Sequence, residues 1–121
     1  MKLLIVDDSS IVRRTIERHI ISDRIHKIYQ AANGREALEL FRQHLPDFVT
    51  MDITMPEMDG LTCITEMMAI KPDTHLMVIS ALGDAATAIE AVERGANEYV
   101  TKPFSVEDIN KALDNLLGST P

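Results

Sequence analysis

Lys2-Leu3-Leu4-Ile5-Val6-Asp7-Asp8 opens the chain with four consecutive apolar residues that break into two acids. The run is too short for a helix and continuous rather than alternating, so it predicts a strand over residues 2–7 buried on both faces. Strands of that kind belong to parallel sheets covered by helices on each side. Working outward, Val12, Ile16 and Ile20 recur at i, i+4 and i+8 among Arg13, Glu17 and Arg18, which predicts an amphipathic helix over 9–21.

The same alternation continues to the end. Residues 27–31 predict a second strand, punctuated by Asn33-Gly34, and Ala37, Leu38, Phe41 and Leu45 predict a helix stopped before Pro46. Residues 47–52 form a third strand ending in an acid. A loop over 56–60 leads into a helix on Leu61, Ile64 and Met68. Residues 76–80 are the fourth strand, and Ala85, Ala88, Ile89 and Val92 form the stripe of the fourth helix. Gly95 stands where a left-handed helix stop belongs. Residues 98–101 make a fifth strand, and Ser105 with Asp108 predicts a capping pair for a last helix on Val106, Ile109, Leu113 and Leu116. Five strand–helix units are most simply connected as a parallel α/β sheet with right-handed crossovers and helices on both faces. The tail from Gly118 to Pro121 reads as a frayed end.

Composition narrows the function. The chain has 121 residues, a length for one domain, with 12 Lys plus Arg against 19 Asp plus Glu and a net charge of −7. The acidic excess argues against a nucleic-acid surface. Cys63 is the only cysteine, so an intrachain disulfide is impossible and a reducing, cytoplasmic setting fits. The opening apolar run is too short for a secretory signal, and no run reaches the ~20 residues of a membrane span.

In a sheet of this kind the working site lies at the carboxyl ends of the strands. Four of the five predicted ends carry chemistry: Asp7-Asp8, Asp52, Ser80 and Lys102. Two carboxylates ~4 Å apart repel by about 4 kcal/mol at an effective dielectric of 20. Lys102 supplies one counter-charge and a divalent cation would supply the rest. Oxygen ligands without histidine favour Mg²⁺ over Zn²⁺. A carboxylate beside Mg²⁺ and an ammonium is a competent phosphoryl acceptor, giving an acyl phosphate.

At this point the chain resembles the receiver domain of two-component response regulators over essentially its whole length. The resemblance rests on Asp7-Asp8, on Asp52-Ile53-Thr54-Met55-Pro56-Glu57-Met58-Asp59-Gly60, on Ser80-Ala81 and on Lys102-Pro103-Phe104. It implies a flavodoxin-like (CheY-like) doubly wound sheet of order 2-1-3-4-5 with five helices, and a single receiver domain over 1–121 without an output domain. Among such domains the chain is most similar to stand-alone chemotaxis regulators. Asp52 would accept the phosphoryl group from a phosphohistidine on a sensor histidine kinase. Asp8, Asp52 and the Thr54 backbone carbonyl would ligate Mg²⁺ directly, with Asp7 acting mainly through a metal-bound water. Lys102 would pair with Asp52 and then with the phosphoryl group. Ser80 would swing in to bond a phosphoryl oxygen and Tyr99 would turn inward behind it. The face of the fourth helix, fifth strand and fifth helix would bind the output partner, such as a flagellar motor switch component. Lys102-Pro103 would be a cis bond. Thr54 and Leu82 stand where the family tunes phosphoryl loss, leaving open whether a phosphatase assists. The protein would catalyse only its own phosphorylation and dephosphorylation.

Plainer roles compete at several positions. Asp7-Asp8 alone could cap the first helix. Gly60 reads as turn geometry, Ser80 alone as a strand-end hydroxyl, and Tyr99 equally as a half-buried core ring. His19, His26, His44 and His75 fit no metal motif. Arg13, Arg14 and Arg18 read first as a solvated helix face and second as a partner site. Cys63 reads as a small buried apolar residue. A phosphorelay intermediate that hands its phosphoryl group to a histidine phosphotransfer domain needs the same residues as a binding switch. A haloacid-dehalogenase-like phosphatase would want an acid at Thr54, and a flavodoxin-like FMN protein would be repelled by Asp7-Asp8.

Overall fold

Side chains of β1 (Lys2–Val6) alternate between two hydrophobic cores, which shows at once that the strand is covered on both faces. Leu4 and Val6 join one core, Leu3 and Ile5 the other, and all four are at most 1% exposed. Burying each stabilises the fold by about 1.5–3 kcal/mol. The computed structural model describes residues 1–20, 25–53, 60–80, 85–102 and 105–117. The remaining elements are α1 (Ser10–His19), β2 (Lys27–Ala31), α2 (Gly34–His44), β3 (Phe48–Asp52), α3 (Gly60–Ile70), β4 (His75–Ser80), α4 (Ala85–Glu93), β5 (Glu98–Thr101) and α5 (Val106–Leu117). The strands form one parallel sheet of order β2-β1-β3-β4-β5, as the resemblance implies.

The two cores explain the layering. Ala37, Leu38 and Phe41 of α2, Cys63, Ile64 and Met67 of α3 and Ala91 of α4 cover one face. Ile16 of α1 with Ile109 and Ala112 of α5 cover the other. Cys63 is fully buried, as expected for a small apolar residue, with its Sγ 3.7 Å from the Gly34 carbonyl. No described helix is long and apolar enough to cross a membrane.

Helix ends follow their local chemistry. Ser9, not Asp7 or Asp8, caps α1, its side chain accepting from the Val12 backbone N–H. Ser105 and Asp108 form the expected reciprocal cap on α5, at 2.9 and 3.1 Å. Gly95, with φ +128°, ends α4. The Gly95 N–H donates to the Val92 carbonyl and the Ala96 N–H to the Ala91 carbonyl, the two bonds of a Schellman stop.

Four expectations are corrected. Leu45 is not part of the apolar stripe of α2: it is 46% exposed and leaves the helix at φ 48°. Pro46 disfavours a further right-handed residue there, and the left-handed exit turns the Leu45 side chain outward. In α3 Ile64 is buried as expected, but Gly60, Cys63 and Met67 complete the buried face, and Leu61 and Met68 pack half-buried at its edges. That helix is apolar nearly all round, so periodicity leaves its rotation undetermined. In α4 the core takes Ala88 and Ala91, while Ile89 and Val92 are 56% and 42% exposed. Small residues let the helix approach the sheet, and the larger ones are left on its outer side. Gly60 belongs to the first turn of α3 rather than to a turn. A Cβ there would stand 2.6 Å from Ile53 Cα, so glycine permits close packing. The side chains of Ala85, Val106, Leu113 and Leu116, residues 54–59 and the tail from Gly118 lie outside the described residues.

Candidate functional site

Parallel register carries the chemistry to one edge. Val6 pairs with Met51, so Asp7 and Asp52 leave neighbouring strands side by side. Asp52 pairs with Ile79 and Ser80 with Thr101, which places Ser80 and Lys102 next along the same edge. Asp7 is fully buried, Asp52 is 1% and Ser80 2% exposed. Asp8 is exposed, at the mouth of the cluster.

The backbone fixes these positions. Asp7 N–H donates to the Ala31 carbonyl at 3.1 Å, Ile53 N–H to the Ile79 carbonyl at 3.2 Å and Lys102 N–H to the Ser80 carbonyl at 2.7 Å. Each strand is therefore tied to its neighbour at the residue where the chain turns into the site. Asp7 Oδ1 accepts the Ser9 backbone N–H at 2.9 Å, so the turn into α1 also anchors the carboxylate.

Lys102 is the counter-charge. Its Nζ donates a hydrogen bond to Asp52 Oδ2 at 3.2 Å and lies 3.4 Å from Asp7 Oδ2. Burial works against the ammonium, but Asp52 and then Asp7 outweigh it, and the pKa of Lys102 is raised. Burial pushes the Asp7 carboxyl up and Asp52 adds to that, against the Ser9 N–H and the Lys102 charge.

Asp7, Asp8 and Asp52 each present an oxygen within 4.8 Å of the others. Asp7 Oδ2 accepts no hydrogen bond among the described residues although it is buried. Three carboxyl groups, two buried and one exposed, face the Lys102 ammonium. An oxygen-only set with one exposed member, and with one buried oxygen that has an ion pair to Lys102 but no hydrogen bond among the described residues, fits a hard divalent cation that keeps some of its water.

Other expectations are placed as follows. Tyr99 is on β5, opposite Val78, with its side chain 46% exposed, so in this state it is turned toward solvent rather than into the core. Thr54, Leu82 and the Lys102–Pro103 bond lie outside the described residues. Arg13 departs from the solvated face expected for it. It is half-buried, with Nη1 donating to the Asp7 carbonyl at 2.6 Å and Nε to Gln30 Oε1 at 3.1 Å. The hint in the sequence is Gln30, a polar side chain inside a short strand.

Comparison with known proteins gives a consistent answer. A family model described as the response regulator receiver domain matches residues 3–114. The chain is 36% identical over 116 residues to the chemotaxis protein CheY of Bacillus subtilis, covering 96% of this chain and 97% of that protein. It is 41% identical over 115 residues to the chemotaxis protein CheY of Thermotoga maritima, covering 95% and 96%. Among solved structures, the receiver domain of AraT, a response regulator from Geobacillus stearothermophilus, superposes with a TM-score of 0.88. That pair is 31% identical and covers 95% of this chain and 91% of the other.

Proposed function

This chain belongs to the response regulator receiver domain family, and from that premise we propose that Asp52 takes a phosphoryl group from a sensor histidine kinase and that a chemotaxis partner reads the change. The observation that carries the reading is the Lys102 ammonium held 3.2 Å from Asp52 Oδ2 and 3.4 Å from Asp7 Oδ2 at the carboxyl edge of the sheet. That edge is where a doubly wound fold exposes its working residues.

An Asp52 carboxylate oxygen attacks the phosphorus of a phosphohistidine in line with the P–N bond. The new O–P bond forms as the P–N bond breaks, and the bonding pair returns to the imidazole nitrogen. Lys102 neutralises charge on the phosphoryl oxygens. Asp7, Asp8 and Asp52, with the Thr54 carbonyl as the family pattern implies, would hold Mg²⁺. When bound, the ion supplies further positive charge against the phosphoryl oxygens. Burial of Asp52 and Asp7 limits the access of bulk water to that centre. Loss of the phosphoryl group is a water attack on the same centre, without turnover of outside substrates.

Phosphorylation adds about 1.5–2 negative charges at Asp52 and draws Lys102 onto the new oxygens. The Ser80 hydroxyl, on the adjacent strand end, donates to one of them. Tyr99 then moves inward from its exposed position. This alters the face of α4, β5 and α5, where Ile89 and Val92 of α4 are exposed and Tyr99, Thr101, Asp108 and Lys111 line a groove between β5 and α5. Exposed apolar side chains on α4 and a groove carrying Tyr99, Asp108 and Lys111 suit a protein partner such as a flagellar motor switch component. The reading carries a cytoplasmic location with it.

Beryllofluoride, a phosphoryl mimic, tests the output. The loaded protein should bind a flagellar motor switch segment more tightly than the unloaded one. Equal binding, together with phosphoryl transfer from the labelled protein to a histidine phosphotransfer domain, would establish the relay role instead.

A further inference from the structure

Among the charged side chains described on α1, Arg13 is the one that hydrogen-bonds the Asp7 backbone. Arg14, Glu17 and Arg18 on the same helix are exposed, whereas Arg13 is half-buried. Its guanidinium spans two elements: Nη1 donates to the Asp7 carbonyl at 2.6 Å and Nε to Gln30 Oε1 at 3.1 Å. Gln30 is in register with Ile5, so β2 supports the anchor, and the Asp7 N–H is itself held by Ala31 of β2. The Asp7 residue is thus gripped through both its backbone N–H and its carbonyl. That carbonyl belongs to the peptide leading to Asp8.

We propose that Arg13, steadied by Gln30, is a positioning residue for divalent-cation binding. It sets the Asp7–Asp8 peptide so that both carboxylates face Asp52. The inference rests on the Mg²⁺ reading given above. A guanidinium suits the task because its planar fork reaches a carbonyl and an amide oxygen at fixed angles, which an ammonium on a flexible stem does not. Charge alone predicts the opposite effect. A cation beside a cation site repels the incoming ion, so a purely electrostatic Arg13 would weaken Mg²⁺ binding and its removal would tighten it.

Titration calorimetry with Mg²⁺ on the full chain separates the two. Arg13→Gln should raise the Mg²⁺ Kd about tenfold, the low end of the 10–100-fold typical of groups that orient metal ligands. Arg13→Lys should fail to rescue it despite keeping the charge. Gln30→Met should weaken binding by a smaller factor, and the double variant should bind no worse than Arg13→Gln alone. Arg14→Gln, a matched loss of charge on the exposed face, should leave the Kd unchanged or lower. Circular dichroism and urea midpoints confirm that each variant is folded, with Arg13→Lys as the gentler substitution. Wild-type affinity in Arg13→Lys, or tighter binding in Arg13→Gln, would overturn the positioning role while leaving the Mg²⁺ reading intact. Absence of Mg²⁺ binding by the wild type would overturn both.

Discussion

Lys102 Nζ stands 3.2 Å from Asp52 Oδ2, joining the turn after β5 to the end of β3 across the tip of β4. The same ammonium is 3.4 Å from Asp7 Oδ2, so one cation serves two buried carboxylates. Two buried carboxylates thus share the Lys102 charge, so loss of the ammonium and loss of one acid should change stability in opposite directions.

Lys102→Met removes the ammonium and leaves Asp7 and Asp52 facing each other. Breaking a fully buried pair costs 3–5 kcal/mol, but the Lys102 side chain is 31% exposed and solvent screens part of the loss. The variant should lose about 2 kcal/mol in urea unfolding with EDTA at neutral pH. Because the pKa of Lys102 is raised above 10.5, its contribution is complete below that pH. It should fade as pH rises through the raised value. A variant as stable as wild type at pH 7 would show that the ammonium is not compensating the two acids.

Asp7→Asn should do the reverse in the absence of metal. Burial raises the Asp7 pKa above its ordinary 3.8, so the ionised carboxylate destabilises the fold at neutral pH. The amide can still accept the Ser9 N–H. EDTA-treated Asp7→Asn should be more stable than wild type by about 1 kcal/mol. That gain should shrink as pH falls toward 3.8, where the folded wild type takes up its proton first. Mg²⁺ should stabilise the wild type and not the variant, and a Mg²⁺-stabilised variant would remove Asp7 from the cation site.

At the opposite edge of the sheet, Asp47 has the contrary sign. The Lys2 backbone N–H donates to Asp47 Oδ2 at 2.9 Å and Lys71 Nζ lies 3.5 Å from Oδ1. The Lys2 hydrogen bond, with help from Lys71 against partial burial, holds the carboxyl below 3.8. Its stabilisation is present above pH 3.8 and is lost as pH falls through the lower folded value. Asp47→Asn should therefore be less stable than wild type at pH 6 and indistinguishable near pH 2. A difference that persists unchanged to pH 2 would mean the charge plays no part.

Gly60→Ala tests packing behind the site. The new methyl would meet Ile53 Cα at 2.6 Å and Ile53 Cγ2 at 2.8 Å. Alanine favours the helix by about 1 kcal/mol, but a clash with backbone cannot be relieved by a rotamer change. We expect a net loss of about 1–3 kcal/mol and slower phosphorylation, because Ile53 follows Asp52 directly. Gly95→Ala, strained at φ +128° where the chain enters the amino end of β5, away from the carboxyl ends that carry the site, should lose stability without slowing the labelling. Equal labelling rates in the two variants would disconnect Gly60 from the site.

What was legible in the sequence was whatever a short run of residues decides for itself. Leu3 to Val6 breaking into Asp7, and Val49 to Met51 breaking into Asp52, announced strands and their ends. Register followed from parallel pairing, so the convergence of Asp7, Asp52 and Lys102 was foreseeable. Gly95 and the Ser105–Asp108 cap were equally local. The faces of α3 and α4 were not. Both helices carry apolar residues on more than one side, so only packing against the sheet selects Ala88 and Ala91 over Ile89 and Val92. The roles of Gly60 and Arg13 are hidden in the sequence for a related reason. Each answers to a residue distant in the chain, Ile53 for one and Gln30 for the other, and single-residue character does not announce such a contact.

The most direct test is acetyl phosphate in Mg²⁺ followed by intact-mass and peptide mapping after rapid acid quenching. The wild type should gain one phosphoryl group on the peptide carrying Asp52. Asp52→Asn should gain none, and EDTA should abolish the gain in the wild type. A full phosphoryl group on Asp52→Asn, or one on a wild-type peptide without Asp52, would contradict the assignment of the acceptor.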